Sequence, residues 1–495
     1  MIDPRSPCII GVAQRTIHPA QGDAPEPLDL WEEMCRAAAA DSGGVDILAA
    51  ADSLQVVYSL SWQYDDPPRR LAERLGLRDG ARHYTGLSGT GPQARIQAVA
   101  EEILAGRNDL GIVVGAESLA TKRRLKKAGG KPAWSFAPEA DPPMPFDEPF
   151  HPAEVAHQVF QAYLTFAVFD IARRAHLGLS PAEYRQHLGE LFAPMNRIAA
   201  ANPNAWLRQP RSAAEIVEVT PENRMVAYPY PKYTISVMDI DMAAAVIIAS
   251  HEKADALGVP RDRRVYLRGW GYAKDPVYVA EREDLWRSTA MEQASRAALA
   301  CAGVAIDDIA HFDLYSCFGS SVGFAMDALG LKSNDSRPLT VTGGLPFHGG
   351  PGNNYMTHAV ATMVRKLREN PSDTGMVSGV GMHMTNHIFA VYSAQPGALA
   401  PAPADPASVQ ARAAATPRRA IRDTASGPAR IAAYSVMHSR QGPEWGLAVC
   451  DLPEGDRCYA RVEDRQLIQS MEDTEWVGRD VDLVDAGKGV NRVAP

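Results

Sequence analysis

Two apolar periods alternate along this chain. Short continuous runs suit strands buried on both faces: Cys8–Ala13, Ser53–Val57, Leu110–Gly115 and Ala243–Ala249. Stretches with helical spacing lie between them, at Leu28–Asp41 and Pro68–Leu75. The stretch Thr85–Ser118 holds a loop, a helix and a strand in succession. Gly86, Gly89 and Gly91 free the backbone for a sharp turn, and Pro92 suits the first helical position. Ile96, Val99, Ala100, Ile103 and Leu104 form one apolar helical face, and Gly106 suits a left-handed cap. Strands alternating with helices predict a parallel, layered α/β core.

The second half repeats this order. Near Val265 a new α/β stretch begins, with a helix over Leu285–Ala302 and a strand running into a loop at His311–Phe318. The glycine-rich loop Gly343–Gly352 then leads to a helix capped by Asn353 or Asn354. Its apolar face is Met356, Ala359, Val360, Met363, Val364 and Leu367; Asn370–Pro371 ends it, and Thr374–Gly381 reads as a strand. Ser88 and His348 occupy equivalent loops of the two copies. A pseudo-two-fold arrangement of the halves brings them to one site.

Other regions break the pattern. Lys122–Lys131 is strongly basic, and Trp134–His151 is rich in proline and aromatics. Helical spacing runs from about Ala153 to His176, and Ser180–Glu183 has capping-box spacing. This predicts a mostly helical insertion. Gln395–Pro417 has the composition of an extended, poorly packed linker. Beyond it, strands at Ala429–His438, Gly446–Asp451, Arg457–Val462 and Val481–Val484, with a short helix at Leu467–Met471, predict a small separate β-rich, barrel-like domain. The expected division is residues 1–118 with 233–264, an insertion at 119–232, a second half at 265–394, a linker at 395–417 and the β domain at 418–495.

Bulk properties narrow the function. The chain has 495 residues, 46% hydrophobic and 22% charged, as expected of a globular protein with a large core. A net charge of −9 without a basic stripe argues against nucleic acid as the main partner. The six cysteines lack CxxC spacing, which suggests a reducing compartment. No apolar stretch is long enough for a membrane span or a signal core, so a cytoplasmic location is the expectation.

Ser88 sits just ahead of a helix N-terminus, where unpaired amides favour developing negative charge. It either shapes the turn or serves as a nucleophile. A serine hydroxyl there does not ionise unaided and needs a base within hydrogen-bond reach, for which His348 is the candidate. The HxxxH spacing of His383 and His387 falls on a strand, where the two are far apart, so no metal site is expected. The order G-x-G-x-x-G is absent from Gly86–Gly91, so no dinucleotide site is expected there.

GLSGTG followed by IVVGAES, DLYSCFGSSVGFAMDALGL, GGLPFHGGPGNNY, MVSGVGM and RMVAYPYPK together resemble the thiolase superfamily, in particular the sterol-carrier-protein thiolases and acetyl-CoA acetyltransferases. The match runs through most of Ile9–Ser393. The resemblance implies a five-layered α/β core of two similar halves with an inserted loop domain, and the trailing β domain is similar to the extra C-terminal module of some thiolase-like proteins. It also implies acyl transfer between a cysteine and coenzyme A, with a carbon–carbon bond of a 3-ketoacyl-CoA made or broken. The departures are specific. Ser88 stands for the nucleophilic cysteine, Gly379 for the cysteine of the CxG segment, and Tyr315 and Ser316 for His and Asp of the HDCF segment. Cys317 and His348 survive.

By this resemblance the catalytic candidates are Ser88, His348 and Cys317. Ser88 takes the acyl group, His348 activates it or stabilises the oxyanion, and Cys317 moves a proton or is simply a small buried residue. Lys122, Arg123, Arg124 and Ser236 are the candidates for holding coenzyme A, the basic run by its charge. Coenzyme A is then substrate or product, with no tightly bound cofactor and no metal. Three functions follow: an acyltransferase on acyl-CoA, a non-catalytic acyl-CoA-binding protein or partner subunit, and a thioesterase-like hydrolase working through Ser88. A homodimer, or a partner protein held by the C-terminal domain, is the expected assembly.

Overall fold

The computed structural model describes residues 2–43, 47–140, 142–145, 150–397 and 399–495. Residues 141 and 146–149 of the proline- and aromatic-rich stretch, and residue 398 of the linker, lie outside that description. The first half comprises β1 (Pro7–Thr16), α1 (Pro27–Asp41), β2 (Ser53–Val56), α2 (Pro67–Leu75), β3 (Ala81–Tyr84), α3 (Gly91–Leu104) and β4 (Leu110–Ser118). The insertion follows: α4 (Leu119–Lys127), α5 (Pro152–His157), α6 (Ala162–His176), α7 (Pro181–Ala201), α8 (Ala213–Val217), β5 (Met225–Ala227) and β6 (Tyr230–Pro231). The chain returns to the core through β7 (Asp241–Ser250) and α9 (His251–Ala256). The second half holds β8 (Val265–Lys274), α10 (Thr289–Ala302), β9 (His311–Asp313), α11 (Gly319–Leu329), α12 (Tyr355–Glu369), β10 (Thr374–Gly381) and β11 (Asn386–Ser393). The remainder is α13 (Pro406–Ala413), β12 (Gly427–Ser439), β13 (Gly442–Asp451), β14 (Arg457–Val462), α14 (Arg465–Asp473), β15 (Asp480–Asp485) and β16 (Asn491–Val493).

The core strands run in the order β3-β2-β4-β7-β1-β8-β11-β10-β9. Read outwards from the β1–β8 seam, β1, β7, β4 and β2 mirror β8, β11, β10 and β9. The mirrored pairs share direction: β1–β7 and β8–β11 are antiparallel, as are β7–β4 and β11–β10, whereas β4–β2 and β10–β9 are parallel. The weak loop–helix–strand repeat in the sequence is therefore a full structural repeat. Helix α1 covers β1, β7 and β4 on one outer side, and α10 covers β8 and β11 on the other. Helices α3 and α12 touch each other and strands of both halves, forming the middle of five layers. Every residue of β4 and β7 is buried, which explains their unbroken apolar runs.

Local signals act as read. Gly106 has φ +71° just past α3. Ser180 and Glu183 form a reciprocal capping box on α7. Asn354 does occupy the N-cap of α12, but its side chain accepts from the Thr357 hydroxyl (2.6 Å) and not from a helix amide.

Three expectations change. The core sheet is mixed, not parallel: β2–β3, β2–β4 and β9–β10 are parallel, and the other five pairings are antiparallel. The stretch 395–417 is not poorly packed throughout: α13 forms within it and lies on β8 and α10. Val409 and Ala413 are buried, and the Gln410 amide pairs with both N (2.8 Å) and O (2.9 Å) of Lys274. Composition misses this because alanine serves a packed helix as well as a loose linker.

The C-terminal strands close on themselves as β12-β13-β14-β16-β15-β12, a five-stranded barrel. This barrel is not separate. Strand β12 pairs with β5 at Met437 and Ala227, and Tyr228 N donates to Val436 O (2.8 Å), so insertion and barrel share a sheet. Arg174 of α6, its side chain fully buried, donates to the hydroxyls of Tyr228 (2.9 Å) and Tyr434 (2.8 Å) and to Glu475 (2.9 Å).

Candidate functional site

The two repeated loops meet where the halves meet. Residues 85–90 lead from β3 into α3. Ser88 is half-buried there. Its Oγ lies 2.8 Å from Thr90 Oγ1 and accepts from Thr90 N (3.3 Å) and from Asn386 Nδ2 (3.4 Å). Among the described residues no imidazole or carboxylate hydrogen-bonds this hydroxyl. Gly381, at the end of β10, lacks a Cβ because Ser88 Oγ occupies its place. Gly89 is constrained in the same way by Val380 O and the Tyr315 hydroxyl.

The second loop, residues 343–352, is almost wholly buried. Asp313, ending β9, anchors its start by accepting from Thr340 Oγ1 (2.8 Å), Thr342 N (3.0 Å), Thr342 Oγ1 (2.9 Å) and the Tyr355 hydroxyl (2.8 Å). Ser316, where the resemblance leads one to expect Asp, accepts from Leu345 N (3.0 Å). Gly343 turns with φ +110° because Ala199 of α7 leaves no room for a side chain. The insertion seals the loop: Trp206 N donates to His348 O and Leu207 N to Phe347 O, both at 2.8 Å.

His348 is 0% exposed, and burial pushes its pKa down to about 3, so its imidazole is neutral. Asn202 Nδ2 donates to Thr342 O (2.8 Å) and faces His348 Nδ1 at 3.4 Å, while its Oδ1 accepts from Asn204 N (2.9 Å). These contacts fix the Asn202 amide and make Nδ1 the acceptor, which leaves the proton on Nε2. Among the described residues that buried Nε2–H has no hydrogen-bond partner. The ring packs edge-on against Tyr355 (5.9 Å, 76°) and His358 (5.5 Å, 66°).

Between the loops stands Tyr315, 6% exposed, its ring edge-on to Tyr355 (5.4 Å, 87°) and its hydroxyl against Gly89. Ser88 and His348 make no hydrogen bond to one another among the described residues; Tyr315 and Tyr355 stand between them. Cys317 Sγ is 3.5 Å from Ser321 Oγ, and burial pushes its thiol up to about 12, so it is protonated at neutral pH. The place of the second family cysteine is closed: a side chain at Gly379 would run into Met356 and Ile388.

The residues expected to hold coenzyme A divide. Ser236 touches the site: its N donates to Cys317 O (2.9 Å), and its Oγ fills the space beside Gly350. The basic residues lie on α4 and already have partners. Lys122 Nζ reaches Leu60 O (3.3 Å), Arg123 pairs with Asp239, and Arg124 pairs with Asp23 (2.9 Å). His383 and His387 face different groups, Thr165 Oγ1 (2.9 Å) and Asp275 (3.0 Å), and the described residues hold no metal-binding cluster of three or more His, Cys, Asp or Glu. Asn202, Asn386 and the Tyr315 hydroxyl, which has no hydrogen-bond partner among the described residues, do not stand out in the sequence. Asn202 carried one signal, an Asn-Pro step, and that signals a turn.

A mirrored five-layer core, with a serine loop and a histidine loop converging from its two halves, defines a thiolase-superfamily fold. The human mitochondrial 3-ketoacyl-CoA thiolase superposes with a TM-score of 0.58 at 14% identity, over 79% of this chain and 99% of its own. The Ltp2-ChsH2(DUF35) aldolase does so with 0.60 at 16% identity, over 79% and 98%. The likeness to the SCP2-thiolase-like protein type 1 from Mycobacterium smegmatis, a monomer, goes further: 31% identity over 100% of both chains, with a TM-score of 0.87. The chain belongs to the SCP2-thiolase-like proteins. No protein-family model matches it, and no curated protein sequence does. No helix among the described residues is long and apolar enough to cross a membrane.

Proposed function

We propose that this chain binds acyl thioesters of coenzyme A and polarises the thioester carbonyl with His348, without the two-cysteine carbon–carbon exchange of the thiolases. The observation that carries this reading is the buried, unpartnered Nε2–H of His348. A dry donor of this kind costs free energy until an acceptor arrives, and a thioester oxygen is such an acceptor. Three facts weigh against the exchange reaction. Serine replaces the nucleophilic cysteine, Met356 packs where the second cysteine would stand, and Cys317 is held as a thiol. A pKa near 3 also makes His348 a weak base but leaves it a sound hydrogen-bond donor. Acyl-CoA is thus the proposed ligand, and the lipid-metabolic setting follows from that.

Acyl transfer to Ser88, followed by release to coenzyme A or water, is the second reading. It is favoured by the place of Ser88 ahead of α3, beside two N–H donors. Calorimetric titration with butyryl-CoA, followed by intact-mass spectrometry, separates the two. The first reading expects binding and no mass gain. An acyl adduct lost in Ser88→Ala establishes the second, and no binding at all removes both.

A further inference from the structure

The open donor of His348 has a counterpart. His358, in the first turn of α12, is also 0% exposed, and its ring meets that of His348 edge-on (5.5 Å, 66°). Its Nδ1 lies 3.2 Å from Gln14 Oε1 of β1. The Thr362 hydroxyl donates to His358 O (2.9 Å) and so accepts from Gln14 Nε2 (3.1 Å), which fixes the Gln14 amide. Gln14 Oε1 is therefore an acceptor, and the His358 proton sits on Nδ1. The two rings hold opposite tautomers: His348 presents Nε2–H, and His358 presents a bare Nε2 lone pair. Neither atom has a hydrogen-bond partner among the described residues. Burial pushes both pKa values down, so both rings stay neutral and keep these roles at physiological pH.

A thioester carbonyl satisfies the donor and leaves the acceptor dry. A second carbonyl does not serve, because it brings an acceptor to an acceptor. The ligand that satisfies both atoms carries a donor beside its carbonyl. A hydroxyl on the adjacent carbon is the most compact such unit, since it and the carbonyl oxygen turn to one side, as two rings in contact require. We propose that His358 is a specificity-determining residue whose Nε2 accepts from that hydroxyl, so that the site prefers 2-hydroxyacyl thioesters to unsubstituted ones. This rests on the coenzyme A thioester reading above. A site built to hydrogen-bond a hydroxyl discriminates against the analogue that lacks it, because the buried partner is then left unpaired.

The test compares ligands of one chain length, propionyl-CoA, 2-hydroxypropionyl-CoA and 3-hydroxypropionyl-CoA, by calorimetry on the full chain and its variants. The wild type should bind one enantiomer of 2-hydroxypropionyl-CoA on the order of tenfold tighter than the other two ligands. His358→Phe keeps a ring and removes the acceptor. In it the preference should vanish through loss of 2-hydroxypropionyl-CoA affinity, with propionyl-CoA affinity retained. Gln14→Met releases the tautomer while keeping the His358 ring, so it should weaken the preference as well, and it decides the matter if circular dichroism shows His358→Phe unfolded. Equal wild-type affinities, a preference for the 3-hydroxy ligand, or a preference undiminished in either folded variant overturns the role of His358 while leaving the thioester reading standing. Absence of binding of all three ligands to the wild type overturns the thioester reading, and the role of His358 with it.

Discussion

The serine loop and the histidine loop come from the same structural repeat, yet they are finished differently. Ser88 remains half-buried, with its hydroxyl satisfied by Thr90 and Asn386. His348 lies under the insertion, dry and with its donor unsatisfied. A satisfied hydroxyl with no base at hand is a poor nucleophile, whereas an unsatisfied donor in a dry site is prepared for an acceptor. The repeat supplies two loops at one place, and the packing above each decides its chemistry. The proposed function therefore rests on the sealed loop.

The largest expected effect comes from the burial of His348. Its folded pKa, about 3, is below the usual 6.5, so the unfolded chain binds the proton more readily. The stability held by the neutral ring is full above about pH 6.5 and is lost as pH falls towards 3, on the order of 5 kcal/mol in all. Denaturant melts across that range should show a clearly flatter pH dependence in His348→Gln than in the wild type. An unchanged slope would mean that the histidine is wetter than the packing implies.

Restoring the lost cysteine comes next. Gly379→Cys must displace Met356 and should cost about 1–3 kcal/mol. Combining it with Met356→Ala should recover part of that loss, a non-additivity a double-mutant cycle would measure. Strict additivity would show that the two residues do not compete for one space. Ser88→Ala should change stability by less than about 1 kcal/mol and leave thioester affinity nearly intact. A large loss of affinity would move the function to the open loop.

The smallest effect is expected from neutralising Lys122, Arg123 and Arg124 to Gln. These cations already face partners within the chain, and exposed pairs contribute little. Titration with coenzyme A should therefore give nearly the wild-type affinity. A marked drop with a flattened salt dependence would show that the pairs open to take phosphates.

The mirrored core was legible because its information is local and periodic. Buried strands such as β4 and β7 are continuous apolar runs, and helices α3 and α12 show one apolar face each. What escaped depends on contacts distant in sequence. The Gln410 amide paired with Lys274 turns a linker into a packed helix, and Arg174 among Tyr228, Tyr434 and Glu475 binds the barrel to the insertion. The site was half legible. Motif order singled out Ser88, His348 and Cys317 as candidates, but the tautomer set by Asn202, the surroundings of Tyr315 and the closure of Gly379 by Met356 exist only after folding.

The claim that His348 donates its Nε2–H to a thioester carbonyl is tested most directly by isotope-edited infrared difference spectra. Butyryl-CoA labelled with carbon-13 at the carbonyl would be bound to the wild type and to His348→Phe, a substitution that keeps a ring but removes the donor. A new hydrogen bond weakens the C=O bond, so the wild type should shift the labelled carbonyl stretch to a frequency below that of the ligand in water, and His348→Phe should abolish the shift. A carbonyl band that is the same in both proteins would contradict the account.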